Sequence, residues 1–329
     1  MLKIFLLVIL FSIGLTIICG GMAIPILKRL KAGQTILQYV KTHKEKNGTP
    51  TMGGLFFILP SVLVFLIFNG FSTRISIVAL SIGLAYLVVG FIDDFIKIKF
   101  RKNEGLKPYQ KIVFQLSIAI LSGVFCYYNG LTFVYIPFIK TTLYLSWGII
   151  PFSALIFLAI TNSVNLTDGL DGLASSTSLT YLIFMCLLIF VETITFGYMY
   201  INKNEYHSLM LLSFSLMGGL LGFLLFNVNK AKVFMGDTGS LSLGGFIGAI
   251  SIFSSNSFFI PILGIMFVLS SVSVIIQVIY FKFTKGKRIF LMSPYHHHLQ
   301  LKGLSESQIS YIYSIITCIM GISIVIFYL

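Results

Sequence analysis

Residues 75–94 read ISIVALSIGLAYLVVGFIDD: eighteen positions without a charge, then two adjacent aspartates. At 1.5 Å per residue, such a run covers about 27 Å of helix, close to the hydrocarbon thickness of a bilayer. It predicts a membrane-spanning helix that ends on a pair of acids. The rest of the chain has the same character. Its 329 residues are 57% hydrophobic and 10% charged, with a mean hydropathy of +0.97, outside the balance of soluble domains. Comparable runs lie near 3–27, 51–69, 75–95, 112–128, 147–163, 174–191, 207–226, 240–256, 259–281 and 308–328. The first has no small-residue cleavage site before Cys19 and continues to Leu27, so it reads as a span rather than a removed signal. The expected fold is an all-α integral membrane protein, a ten-transmembrane-helix bundle forming one polytopic domain over residues 1–329.

Loop charge orients the bundle. One set of loops holds 19 of the 23 lysines and arginines and the other holds four, Lys3, Arg74, Lys140 and Lys203. The positive-inside rule makes the first set cytoplasmic and puts both termini outside, in a cell inner (plasma) membrane. The net charge of +13 then faces an anionic leaflet, and nucleic acid is not an expected partner. Cys19, Cys126, Cys186 and Cys318 all fall within apolar runs and have no zinc or disulfide spacing.

All five aspartates, Asp93, Asp94, Asp168, Asp171 and Asp237, fall at cytoplasmic span ends. Acids at membrane depth are costly and face cavities, ions or partners rather than lipid, so five on one face point to one polar site. Asp93 and Asp94 are expected at the partially negative C-terminal end of their helix, where the dipole and their mutual repulsion disfavour them. Lys97, one turn on, offsets part of this and a divalent cation would offset more; alone, the pair also reads as interfacial acids solvated beside Lys97 and Lys99. Asn165-Leu-Thr-Asp168-Gly-Leu-Asp171-Gly172 reads as a tight turn presenting both aspartates, or as a cap of the following helix through Asp171 or Thr167. Gly236-Asp237-Thr238-Gly239-Ser240 opens a span, where a helix N-terminus offers amides to phosphate and Asp237 alternatively caps. His296, His297 and His298 follow Ser293-Pro-Tyr; three successive side chains point apart, so phosphate or sugar contacts fit them better than one metal.

With these motifs in order, the chain closely resembles the phospho-N-acetylmuramoyl-pentapeptide-transferases, a branch of the polyprenyl-phosphate N-acetylhexosamine-1-phosphate transferase superfamily of glycosyltransferase 4 type. The resemblance rests on Thr49-Pro-Thr-Met-Gly-Gly54, Val89-Gly-Phe-Ile-Asp-Asp94 with Lys97, Asn165 to Gly172, Val233-Phe-Met-Gly-Asp-Thr-Gly-Ser240 and the triple histidine, and covers nearly the whole chain. The chain departs from the family pattern at Tyr39-Val40, where Gly-Pro is expected ahead of His43, and at Leu299-Gln300, where Phe-Glu is expected.

The resemblance implies Mg2+ as cofactor, UDP-N-acetylmuramoyl-pentapeptide and undecaprenyl phosphate as substrates, and a homodimer in the lipid bilayer. It implies that Asp237 is a metal ligand and that Asp93 and Asp94 complete the metal shell or deprotonate the lipid phosphate, with His296 also catalytic. Lys46, Lys97 and Lys111 would position phosphates, Phe234 would stack on uracil and Asn227 would contact the nucleotide. Asp168 and Asp171 would line the uridine and sugar-phosphate pocket, with His297 on the phosphate or sugar side. Thr51, Asn165 and His298 complete the substrate-contacting set. Three rivals remain at this stage: a sister transferase using UDP-N-acetylglucosamine, a transporter whose acids line a path, and a lipid-binding scaffold.

Overall fold

The computed structural model describes residues 2–29, 48–70, 73–100, 105–139, 141–195, 197, 200–228 and 230–328. In chain order the elements are α1 (Leu2–Arg29), α2 (Leu55–Asn69), α3 (Arg74–Phe100), α4 (Pro108–Tyr128), β1 (Phe133–Ile136), β2 (Thr141–Tyr144) and α5 (Ile149–Thr167). They continue with α6 (Leu173–Thr195), α7 (Lys203–Asn227), α8 (Gly236–Phe253), α9 (Ile260–Leu263), α10 (Ile265–Phe283), α11 (Tyr295–Leu301) and α12 (Glu306–Tyr328).

Each apolar run corresponds to a helix. Among the described residues, eight helices are long and apolar enough to cross a membrane. The other two differ for identifiable reasons. α2 has 15 residues, or about 22 Å. α8 opens with Gly-Asp-Thr-Gly-Ser and is enclosed by protein, with every residue from Thr238 to Phe253 buried. The surfaces of α10 and α12 carry exposed Ile275, Ile279 and Phe283, and Ile315, Ile319, Ile322 and Ile326. Such faces suit a lipid solvent.

The structure is mostly helical, consistent with the expected all-α class, with one short addition: β1 and β2 pair antiparallel, with Phe133 opposite Tyr144 and Ile136 opposite Thr141. The β-branched and aromatic residues of this short connection favour extended backbone. Tyr135 donates its N–H to Ser255 O at 2.9 Å, so the hairpin covers the turn after α8. One expectation is corrected: α3 does not stop at the acids but runs to Phe100, leaving Asp93 and Asp94 almost two turns inside it. The macrodipole penalty expected at a helix end is correspondingly weaker, because it is concentrated in the last turn.

The centre is α8, packed between α3 and α5; α1 and α2 pack on α7, α6 on α12 and α4 on α5. Lipid provides no hydrophobic drive between helices, so close packing by small residues carries more of the association. Gly244 and Gly245 of α8 press on Thr161 and Tyr86, while Gly218 and Gly219 of α7 press on α1 and α2, as their glycine pairs suggest. Several buried hydroxyls bond within their own helices: Ser61 Oγ donates to Phe57 O at 2.6 Å and Thr161 Oγ1 to Phe157 O at 2.7 Å.

Candidate active site

Four helices and two loops converge at the end of the bundle opposite the hairpin. The decisive contact is between α3 and the first turn of α8. Gly90 faces the backbone of Asp237 and Thr238 so closely that a Cβ there would stand 2.5 Å from the Asp237 carbonyl carbon. Only a residue without a side chain permits this approach. Asp93 and Asp94, one turn further along α3, thereby come beside Asp237. On the other side, Gly53 and Gly54 donate their amides to Phe234 O (2.8 Å) and Met235 O (3.0 Å), and Phe234 returns one to Pro50 O (2.8 Å). The Thr-Pro-Thr-Met-Gly-Gly segment is thus bonded to the chain entering α8.

Asp93, Asp94 and Asp237 each offer a carboxylate oxygen within 4.8 Å of the others. Opposite ligands of a magnesium ion stand about 4.2 Å apart, so small side-chain shifts suffice for them to share one. Lys97 Nζ lies 2.6 Å from Asp93 Oδ2, 2.8 Å from Asp237 Oδ2 and 3.9 Å from Asp94 Oδ1, and Lys111 Nζ lies 3.0 Å from Asp237 Oδ2. Asn165 donates from Nδ2 to Asp237 Oδ1 at 2.6 Å and to Ser240 Oγ at 2.8 Å. Thr238 gives its N–H (2.9 Å) and its hydroxyl (2.7 Å) to Asp94 Oδ2, while the Leu106 amide donates to Asp93 Oδ1 at 2.8 Å. Asp94 Oδ1 is buried and accepts no hydrogen bond from the described residues.

Asp168 follows the end of α5 and adds a fourth carboxylate. Burial, with the charges of Asp237 and Asp94, pushes it up to about 8, against the opposing Gly236 amide. Asp168 is thereby held mostly protonated at neutral pH, and the carboxylates of Asp93, Asp94 and Asp237 outnumber the two ammonium groups they meet, Lys97 and Lys111. The surplus of negative charge is what a divalent cation offsets, and it would repel an anionic substrate in the cation's absence. Three clustered acids, an oxygen without a hydrogen bond and this imbalance fit a metal centre.

The other predicted residues divide by position. Thr51 is buried, and its Oγ1 and Asp94 Oδ2 flank Gly236, each 2.5 Å from where a Cβ would stand. Phe234 is partly exposed beside them. His296 is fully buried with its ring against Gly169, next to Asp168. His297 pairs its Nδ1 with Gln300 Oε1 at 3.3 Å. His298 turns away from its neighbours, its Nδ1 accepting the Leu291 amide at 3.1 Å. The rings do not all point apart as expected for successive positions: those of His296 and His297 meet edge-on with centroids 4.3 Å apart, while His298 packs against Phe290 and Tyr295.

Asp171 and Asn227 brace loops instead of joining the carboxylates. Asp171 Oδ2 accepts the Ala231 amide at 2.9 Å. Asn227 Oδ1 accepts from Ser175 Oγ (2.8 Å) and Gly172 N–H (3.2 Å), and its Nδ2 donates to Val233 O (3.0 Å). Asp237 is not the N-cap of α8; Met235 holds that position and Asp237 lies within the first turn. Lys46 lies outside the described residues, as do Tyr39, Val40 and His43.

Sequence reasoning missed Gly90, Thr238 and the Leu106 amide. Thr238 was visible in its motif only as a capping type, and a backbone amide has no sequence signal.

Comparison with known proteins agrees with this geometry. The pattern of Glycosyl transferase family 4 matches residues 76–255, which contain all five aspartates. Signature 1 of phospho-N-acetylmuramoyl-pentapeptide-transferase matches residues 46–58. A phospho-N-acetylmuramoyl-pentapeptide-transferase of Caldanaerobacter subterraneus is 40% identical over 94% of each chain. Those of Acetivibrio thermocellus (39% identical; 95% of this chain, 93% of the relative) and Halalkalibacterium halodurans (42%; 92% and 91%) are similarly close.

Proposed function

The chain belongs to the phospho-N-acetylmuramoyl-pentapeptide-transferase family, and from that premise we propose how its residues carry out the transfer. The reaction joins undecaprenyl phosphate to the sugar-bearing phosphate of UDP-N-acetylmuramoyl-pentapeptide. A lipid phosphate oxygen forms a bond to that phosphorus, the P–O bond to the uridine phosphate breaks, and UMP leaves. The product is the lipid-linked phospho-muramoyl-pentapeptide of peptidoglycan synthesis. The observation that carries this reading is the gathering of Asp93, Asp94 and Asp237, brought together through Gly90, in a chain of this family.

The three carboxylates would hold magnesium, which when bound supplies charge neutralisation at the diphosphate oxygens. Thr238 fixes Asp94 in one orientation through two hydrogen bonds, and Asn165 orients Asp237 through one. Lys97 and Lys111 stand within 3.0 Å of Asp237 and hold phosphate oxygens as point charges once substrate enters. Whichever of Asp93 and Asp94 is not committed to the cation takes a proton from the lipid phosphate. Phe234 offers a partly exposed ring to uracil, Thr51, Asp168, His296 and His297 line the phosphate and sugar side, and the role proposed for Lys46 is phosphate binding. Asp171, Asn227 and His298 serve the pocket by holding its loops, with substrate contact through the faces those bonds leave.

The carboxylate end faces the cytoplasm, where the nucleotide-sugar is made and where the basic loops belong by the positive-inside rule. Ten helices, α1 to α8, α10 and α12, cross the plasma membrane, with α8 enclosed by its neighbours, both termini outside, and the protein works as a homodimer. The site at one end, beside a lipid-facing surface, lets a soluble substrate and a membrane-held one meet. A transport path would instead centre near the midplane.

UMP release by purified protein with undecaprenyl phosphate tests the reading. Release with UDP-N-acetylmuramoyl-pentapeptide that stops on chelation and returns with magnesium is the expected outcome. Turnover with UDP-N-acetylglucosamine alone, or release indifferent to chelation, would overturn it.

A further inference from the structure

Glu306, Ser310 and Tyr313 occupy positions i, i+4 and i+7 of α12, one stripe at helical spacing. Their partners lie on two separate segments of the site. Glu306 Oε2 accepts the Asp171 N–H at 2.9 Å, and Ser310 Oγ donates to the Asp171 carbonyl at 3.1 Å, so both backbone groups of Asp171 are held by α12. Tyr313 is fully buried, shares a 3.4 Å bond with Ser270 Oγ and packs in the apolar cluster that Leu299 of α11, the helix carrying His296, borders. Between them Ile309 packs with Leu170, Leu173, Met266 and Tyr313 in an apolar cluster apart from the main core, with Leu299 of α11 at its edge.

The loop after α5 needs such support. It carries Asp168 and receives the His296 ring on Gly169, yet Gly169 and Gly172, the latter at φ +72°, give it little stiffness of its own. A carboxylate given to a neutral amide makes a stronger bond than a neutral acceptor does. Glu306 is thus an acid at the site end of the bundle whose Oε2 binds backbone, not a lysine of the cluster.

We propose that Glu306, Ser310 and Tyr313 are positioning residues: the first two turns of α12 hold the Asp168–Asp171 loop and His296 in mutual register. The inference rests on the transfer reading above for the meaning of that register. Without the stripe, the wall formed by Asp168 and His296 is no longer fixed against the carboxylates of α3 and α8.

The test compares Glu306→Ala, Glu306→Gln, Tyr313→Phe and the control Tyr311→Phe, whose side chain is exposed, with the parent protein. UMP release, melting temperature and amide hydrogen exchange of residues 168–172 and 294–298 are measured on each. Glu306→Ala and Tyr313→Phe are expected to lower kcat roughly tenfold, as for loss of a charge-assisted or buried bond at a positioned group. The KM for undecaprenyl phosphate and the melting temperature should stay put. Exchange in both segments should quicken in either variant. Glu306→Gln, whose amide oxygen still accepts, should recover part of the rate, and Tyr311→Phe should match the parent. Unchanged kcat with unchanged exchange would overturn the proposal, as would a rate loss that tracks melting temperature in both Glu306 variants. If the parent itself released no UMP, the transfer reading would fail, while exchange would still decide whether the stripe holds the two segments together.

Discussion

Replacing Gly90 by alanine adds one methyl group at the seam between α3 and α8. The new carbon would stand 2.5 Å from the Asp237 carbonyl carbon and 2.7 Å from Thr238 Cα. Non-bonded carbons settle at about 3.5 Å or more, so the helices must separate by about 1 Å. Neither obstacle is a side chain that can rotate away. Asp237 would then retreat from Asp93, Asp94 and Lys97, its ion pair with Lys97 now measuring 2.8 Å. A displacement of that size at a reacting centre costs about 100-fold in rate. Overpacking costs about 1–3 kcal/mol, and alanine returns about 1 kcal/mol through its helix propensity, so the fold should survive with a modestly lower melting temperature. Gly90→Ala should therefore give a folded protein with kcat/KM down about 100-fold and weakened magnesium dependence, read by UMP release over a magnesium titration. Gly14→Ala, where nothing lies within 4 Å of the added carbon, is the control. Activity of Gly90→Ala within about threefold of the parent would refute the idea that this close approach builds the site.

Two further outcomes are expected. Lys111→Met removes an ammonium 3.0 Å from Asp237 and should lower kcat/KM for the nucleotide-sugar roughly 10- to 100-fold with little change in melting temperature; unaltered kinetics would reduce Lys111 to a loop charge. Asn227→Ala leaves the Val233 carbonyl and the donors of Gly172 and Ser175 without their partner; it should destabilise the protein by about 1–3 kcal/mol in thermal unfolding, and a melting temperature equal to the parent's would contradict its role as a brace.

The helices were legible because hydropathy and length record what lipid demands of a backbone. Where protein replaces lipid, that record fades: α8 is wrapped by neighbours and tolerates a Gly- and Ser-rich sequence, and α2 is short. The continuation of α3 past Asp94 was not legible because Lys97 and Lys99 look like a loop boundary, although they are adequate helix formers. The acidic cluster was readable from the scarcity of aspartates and their common side. Its partners were less so. Whether Asn227 and Asp171 face substrate or their own backbone depends on contacts across more than fifty positions, such as Asp171 with Ala231, which residue type and spacing do not encode.

The two halves of the carboxylate cluster are far apart in order of synthesis, with Lys97 and Asp237 separated by 140 positions. In a chain inserted span by span, Asp93 and Asp94 reach the bilayer long before α8 exists to meet them. The Lys97–Asp93 pair is local, four residues apart on one helix, and needs nothing downstream. Lys97 can therefore escort the acids through biogenesis, and a chain interrupted before residue 236 carries no complete centre.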